Sequence, residues 1–272
     1  MDSFPRSAGQ VGIPALYHYQ DFDAGVHADR LRDILKNQRI YCSNPDAFND
    51  PWDGKPYFDP ALLDDPAACA ATAEMLISTR TGGSELNHID ARLRTDPKYL
   101  KTAMHQFSTG MFNFIPSRWG VYCLSPDPGL PLMWSHYSRN HKGICLEFTV
   151  PNTRFKGALQ VRYQKDYPAL LLHDPDAHMK MLLVKSDDWM YEQEFRLICP
   201  RFTDVKESPF ILDGNYLQIG PTDLTSIILG CQAGDEAAQT VRALVNDHAP
   251  HVKVRQAIRA LNEYSIVIED RS

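Results

Sequence analysis

Residues 15–43 read ALYHYQDFDAGVHADRLRDILKNQRIYCS, and this stretch decides the fold class. Residues 15–20 (ALYHYQ) mix aromatic and aliphatic side chains over a length that suits a short strand. Residues 29–37 (DRLRDILKN) bring Leu31, Ile34 and Leu35 to one face at helical spacing, and residues 39–43 (RIYCS) return to strand character. A strand, a helix and a second strand in so short a span predict a sheet with helices packed on it. Alternation along the opening strand sends His18 to one face and Tyr17 and Tyr19 to the other. The imidazole is then placed to meet a ligand over the sheet while the rings pack a core. The plainer alternative is a histidine held by a structural hydrogen bond.

Outward from this stretch, the first dozen residues are rich in Gly, Ser and Pro and predict a loose tail over residues 1–13. A single domain over residues 14–272 is expected after it. Residues 44–56 (NPDAFNDPWDGKP) form a turn-rich loop, and residues 61–80 and 99–112 are helix-compatible on either side of a break at Gly82 and Gly83. They predict an inserted helical block over about residues 60–115. Strand signals return at residues 119–125 (WGVYCLS), 143–150, 159–163, 194–199 and 226–229, with helical stretches around 134–138, 175–183 and 236–246. The expected fold class is α+β, built on a mixed, mainly antiparallel sheet.

Composition narrows the function classes. The chain has 272 residues with 28 Lys+Arg against 34 Asp+Glu, an acidic balance that argues against a general duplex-DNA binder. A hydrophobic fraction of 43% excludes an intrinsically disordered chain. No apolar run reaches the length of a membrane span, and the opening residues lack the pattern of a signal peptide, so a cytoplasmic protein without membrane partners is expected. The six cysteines form no CxxC pair. They read as reduced core residues rather than metal ligands.

Four constellations carry side chains suited to chemistry. The first is Tyr17, His18 and Tyr19. The second is Asn49, Asp50, Trp52 and Asp53 in the turn-rich loop, ordinary turn residues or a hold for Mg²⁺. The third is residues 133–138 (MWSHYS), where Met133, Trp134 and Tyr137 form an apolar seam at helical spacing. The fourth is Lys185, Trp189, Tyr191, Glu192, Glu194 and Arg196. On a strand, Glu192 and Glu194 share a face, and two close carboxylates raise the pKa of one of them, giving an acid or base. The plainer alternative there is a strand edge with Glu–Arg pairing.

Taken together, the segments Leu16–Tyr19, Ile40–Ser43 with Asn49–Asp53, Met133–Phe148, Lys185 to Arg196, and Leu224–Gly230 resemble, over about residues 16–246, the bacterial family known as domain of unknown function 2971. The chain also resembles, more distantly, ADP-ribosyltransferases of the His/Arg–Ser/Tyr–Glu type. That resemblance rests on His18 in a leading LYH, Ser125 closing VYCLS, and Glu194 before an apolar strand. It implies a split sheet and NAD as substrate. His18 would hold the ribose and Ser125, or else Tyr41 or Ser43, the nicotinamide pocket, with Tyr19, Asn49, Trp134 and Tyr137 completing the cofactor-binding set. Glu194 would stabilise an oxocarbenium-like transition state and Glu192 would deprotonate a nucleophile. No metal is implied. The expected acceptor is a protein, a nucleic acid or water, with an antagonist protein as a further partner if the chain is a toxin or antiphage protein. Two other classes compete. One is a metal-dependent phosphodiesterase or nuclease using Asp50, Asp53, Glu192 and Glu194; the other is a non-catalytic nucleotide- or protein-binding module lined by Trp52, Trp134 and Tyr137.

Overall fold

The computed structural model describes residues 5–55, 57–79, 87–170, 177–201 and 210–270. Helix α1 spans Ala8–Val11, strand β1 Ala15–Gln20, helix α2 Ala24–Asn37 and strand β2 Arg39–Tyr41. Helices α3 (Pro66–Ser78), α4 (Asn87–Thr95) and α5 (Pro97–Arg118) follow. Next come β3 (Trp119–Leu124), α6 (Pro131–Tyr137), β4 (Ile144–Thr149), β5 (Leu159–Gln160) and β6 (Arg162–Gln164). Then come α7 (Ala177–Leu183), β7 (Val184–Ser186), β8 (Phe195–Pro200), β9 (Tyr216–Gln218) and β10 (Leu224–Leu229). The order closes with α8 (Asp235–His248), β11 (Lys253–Arg259) and β12 (Ile266–Asp270). Helices beside mainly antiparallel strands make this the α+β fold the sequence predicts.

The chain falls into two compact units. The first holds residues 1–43, 120–161 and 189–272, the second residues 44–119 and 162–188.

The first unit is organised by a five-stranded sheet of order β1-β4-β10-β11-β12. All its pairings are antiparallel except β10 with β11. Two smaller sheets, β2-β9 and β3-β8-β5, belong to the same unit. Strand β3 is tied to β1 where the amides and carbonyls of Tyr17 and Ser125 exchange hydrogen bonds of 2.8 Å. One face of the sheet buries Leu16, Ile144, Leu146, Ile227 and Leu229 under the apolar stripes of α2 (Leu31, Ile34, Leu35) and α8 (Val241, Leu244, Val245). Each such side chain fully buried contributes about 1.5–3 kcal/mol. The other face buries Tyr19, Cys145, Ile228 and Ala257 with Met133 and Trp134 of α6. Gly143 leads into β4 so close to the Gln20 carbonyl that a Cβ would lie 2.4 Å from its oxygen, so only glycine lets β1 and β4 close their ladder there.

The beginning of the chain is not a loose tail once residue 7 is reached. Ser7 caps α1 in a reciprocal capping box with Gln10, and Gly12 ends the helix in the left-handed region. The Ala8 amide donates to the Ala158 carbonyl at 2.8 Å, and the Ala8 side chain is fully buried. A capped helix of only four residues, Ala, Gly, Gln and Val, has little pattern to reveal it; the tertiary contact holds it.

The second unit carries the helical block as α3, α4 and α5 with a parallel pair, β6 and β7. Its core includes Ala73, Leu76, Leu93, Leu100 and Met104. Gly82 and Gly83, and the start of the stretch predicted over 175–183, lie outside the described residues. No described helix is long and apolar enough to cross a membrane.

Candidate functional site

Alternation along β1 acts as the sequence predicts: Tyr17 and Tyr19 pack on the α6 face, while His18 stacks on the Tyr122 ring of β3, with centroids 4.2 Å apart. The His18 Nδ1–H donates to the Cys123 carbonyl at 2.8 Å, which leaves Nε2 as an acceptor. Burial pushes the His18 pKa down to about 4, opposed by the Cys123 hydrogen bond and assisted by the positive charge of Arg30, so the ring is neutral at pH 7.

Beside this pair a cleft of about 590 Å³ opens between α2, the end of β1, β2, β3 and β9. Two of the groups in its wall are Gln20 and Tyr122, exposed by only 5% and 3%, yet the Gln20 Oε1 and the Tyr122 hydroxyl have no hydrogen-bond partner among the described residues. Burial pushes the Tyr122 phenol well up, so it stays protonated and able to donate. The opposing side is aromatic and basic. Tyr41 and Tyr216 face each other across β2 and β9 in a T-shaped pair 5.7 Å apart, with the Arg39 guanidinium 4.2 Å over the Tyr216 ring. Asp33 occupies Arg39 Nε through both carboxylate oxygens, at 2.8 and 3.0 Å, whereas Arg30 has no ion pair among the described residues. Tyr41 thus joins this site from the predicted set. Gln20, Arg30, Tyr122 and Tyr216 were missed, although Gln20, two residues beyond His18 on the same strand face, carried a signal.

The remaining predicted residues have other surroundings. Tyr19 donates its hydroxyl to the Asp127 carbonyl at 2.6 Å and meets the fully buried Trp134 edge-on; the Trp134 indole N–H donates to the Pro128 carbonyl at 2.7 Å. Both anchor the loop after β3. Ser125 is fully buried, and its hydroxyl accepts from the Asp127 amide at 3.4 Å. Ser125 pairs with Tyr17, the neighbour of His18, so the pleat turns the Ser125 and His18 side chains to opposite faces. Ser43 exchanges backbone hydrogen bonds with Val121. Asn49 is exposed in the second unit.

Glu192 and Glu194 do not share a strand face. Glu192 ends a 3₁₀ helix over Asp187–Glu192, Gln193 takes a left-handed φ of 49°, and β8 starts only at Phe195. The apolar run FRLIC predicted the strand, but the left-handed residue breaks the alternation just before it. The Tyr137 hydroxyl donates to Glu192 Oε1 at 2.7 Å. Glu194 receives Nε and Nη2 of Arg196 at 2.8 and 2.9 Å, with the arginine fully buried. The predicted Glu–Arg pairing is present, but in the interior rather than at an exposed edge. In the second unit, Asp53 lies 3.7 Å from Lys185, both side chains 4% exposed. Among the described residues no group of three or more His, Cys, Asp or Glu side chains could hold a metal ion.

Residues 133–197, from α6 into β8, match a family model described as "Protein of unknown function (DUF2971)". The match spans Trp134, Tyr137, Lys185, Glu192, Glu194 and Arg196. No curated protein and no solved structure matches the chain, and the resemblance to ADP-ribosyltransferases is not confirmed by these comparisons.

Proposed function

We propose that this protein binds a nucleotide, NAD being the foremost to test, in the cleft between α2, β1, β2, β3 and β9. One observation carries the reading: two nine-tenths buried side chains that line that cleft, Gln20 and Tyr122, each hold a polar atom, Oε1 and the hydroxyl, without a partner among the described residues. An unpaired buried polar group costs about 1–3 kcal/mol, and a ligand that supplies the partner recovers it. Gln20 accepts from an N–H or O–H, as on a base edge or ribose, and Tyr122 donates to an oxygen or ring nitrogen. The exposed face of Tyr41 suits a stacked base, and the uncommitted Arg30 guanidinium suits a phosphate.

Transfer of ADP-ribose is the weaker part of the expectation. The His18 and Ser125 side chains point to opposite faces, and both oxygens of Glu194 are held by Arg196. Isothermal titration with NAD, ADP-ribose, ATP and GMP tests binding, alongside nicotinamide release from NAD at high protein concentration. Saturable binding that Tyr122→Phe and Gln20→Leu weaken supports the cleft. Absence of binding by all four nucleotides overturns the reading. Nicotinamide release abolished by Glu192→Gln in a folded variant restores the transferase chemistry.

A further inference from the structure

The second unit has its own cleft, of about 280 Å³, and its chemistry differs. One wall is the loop of residues 45–55. The Asp50 Oδ1 accepts the Trp52 amide at 2.9 Å, the Asp53 amide reaches the Asp50 carbonyl at 3.2 Å, and the Lys55 amide reaches the Trp52 carbonyl at 3.2 Å. These nested turns point both carboxylates into the cleft. The other wall comes from Tyr167 and from β7, which supplies Lys185. The Tyr167 hydroxyl donates to the Lys55 carbonyl and lies 3.2 Å from that of Trp52, so its ring is held against the loop. Burial pushes the Tyr167 pKa up to about 12, with Asp50 and Asp53 adding to the rise.

Charge decides what this cleft accepts. Four carboxylates face it against two lysines, and Lys185 stands beside Asp53. Asp50, 4% exposed, keeps its Oδ2 without a hydrogen-bond donor among the described residues. An anionic ligand meets an excess of like charge there. A bare divalent ion finds no three of these carboxylates gathered closely enough among the described residues to hold it. At the rim the Trp52 indole is 64% exposed, an aromatic face next to a buried carboxylate. That combination fits a flat or compact cation with N–H donors: the aromatic face attracts the charge and the carboxylate takes the hydrogen bonds.

We propose that the cleft lined by Asp50, Trp52 and Tyr167 binds a guanidinium or ammonium group carried on an alkyl chain. The group comes either from a free amine or from an arginine or lysine side chain of a peptide. Titration calorimetry on the full chain tests it with agmatine, L-arginine amide, the neutral isostere L-citrulline amide, the tripeptide Gly-Arg-Gly, inorganic phosphate and Mg²⁺. Agmatine or Gly-Arg-Gly should bind at least tenfold more tightly than citrulline amide, and preference between those two cations identifies the source of the group. Trp52→Ala, a change at an exposed side chain, should lower that affinity about tenfold, and Asp50→Asn by at least as much. Arg30→Ala in the first unit should leave it unchanged, which separates this site from the nucleotide cleft. Equal binding of citrulline and arginine amides, no binding of either cation, or saturable binding of phosphate or Mg²⁺ that Asp50→Asn abolishes would each overturn the proposal.

Discussion

The two clefts solve the problem of buried polarity in opposite ways. In the first unit the unpaired atoms are neutral, the Gln20 amide oxygen and the Tyr122 hydroxyl, and the wall facing them is aromatic and basic. In the second unit the buried groups are charged, and Lys185 is set against Asp53. The difference follows from cost. A neutral group without a partner is tolerated at about 1–3 kcal/mol, whereas a buried charge without a partner costs several kcal/mol and is paired, solvated or neutralised. On the two proposals, the first cleft would read a ligand by hydrogen bonds and stacking, the second by charge.

The largest expected effect probes a charge pair buried in the interior. Replacing Glu194 by Ala takes the paired carboxylate from a fully buried arginine and should cost about 3–5 kcal/mol in urea denaturation, whereas Glu194→Met combined with Arg196→Met should recover most of that loss. A neutral single variant would show that the pair is not structural and would return Glu194 to the list of catalytic groups.

Next in size is the pH response of the first unit. The folded His18 pKa, about 4, lies below the ordinary 6.5, so between those values the unfolded chain takes up a proton that the folded chain refuses. Stability should fall as the pH drops from 6.5 to 4 and gain no further slope from this group below that, by about 3 kcal/mol at most. Thermal melts across this window should lose that slope in His18→Gln. An unchanged slope would detach the histidine from the buried Tyr122 stack.

A smaller effect has two signs. Tyr122→Phe removes an unsatisfied hydroxyl, so the ligand-free protein should keep its stability or gain about 1 kcal/mol, while nucleotide affinity falls about tenfold. Loss of stability without loss of affinity would show that the hydroxyl serves the fold. The smallest expected change is at Arg30, an exposed side chain. Arg30→Met should weaken phosphorylated ligands several-fold, flatten the salt dependence of their binding, and leave an unphosphorylated nucleoside unaffected.

Periodicity carried the reading of β1, α2 and β2, because the spacing of Leu31, Ile34 and Leu35 reports one buried face directly. It also sent His18 away from Tyr17 and Tyr19, as the structure has it. The strands β11 and β12 escaped it. Their residues are mostly half-buried or exposed, so no alternation of apolar side chains marks them.

Local sequence held the strand, the helix and the side on which His18 stands, since each depends on neighbours within a few residues. The sites depend on contacts between distant segments. Only the folded chain turned Ser125 away from His18, locked Glu194 onto Arg196, and left Gln20 and Tyr122 without partners. A hydrogen bond that is absent is a property of everything packed around an atom, and no stretch of sequence encodes it alone.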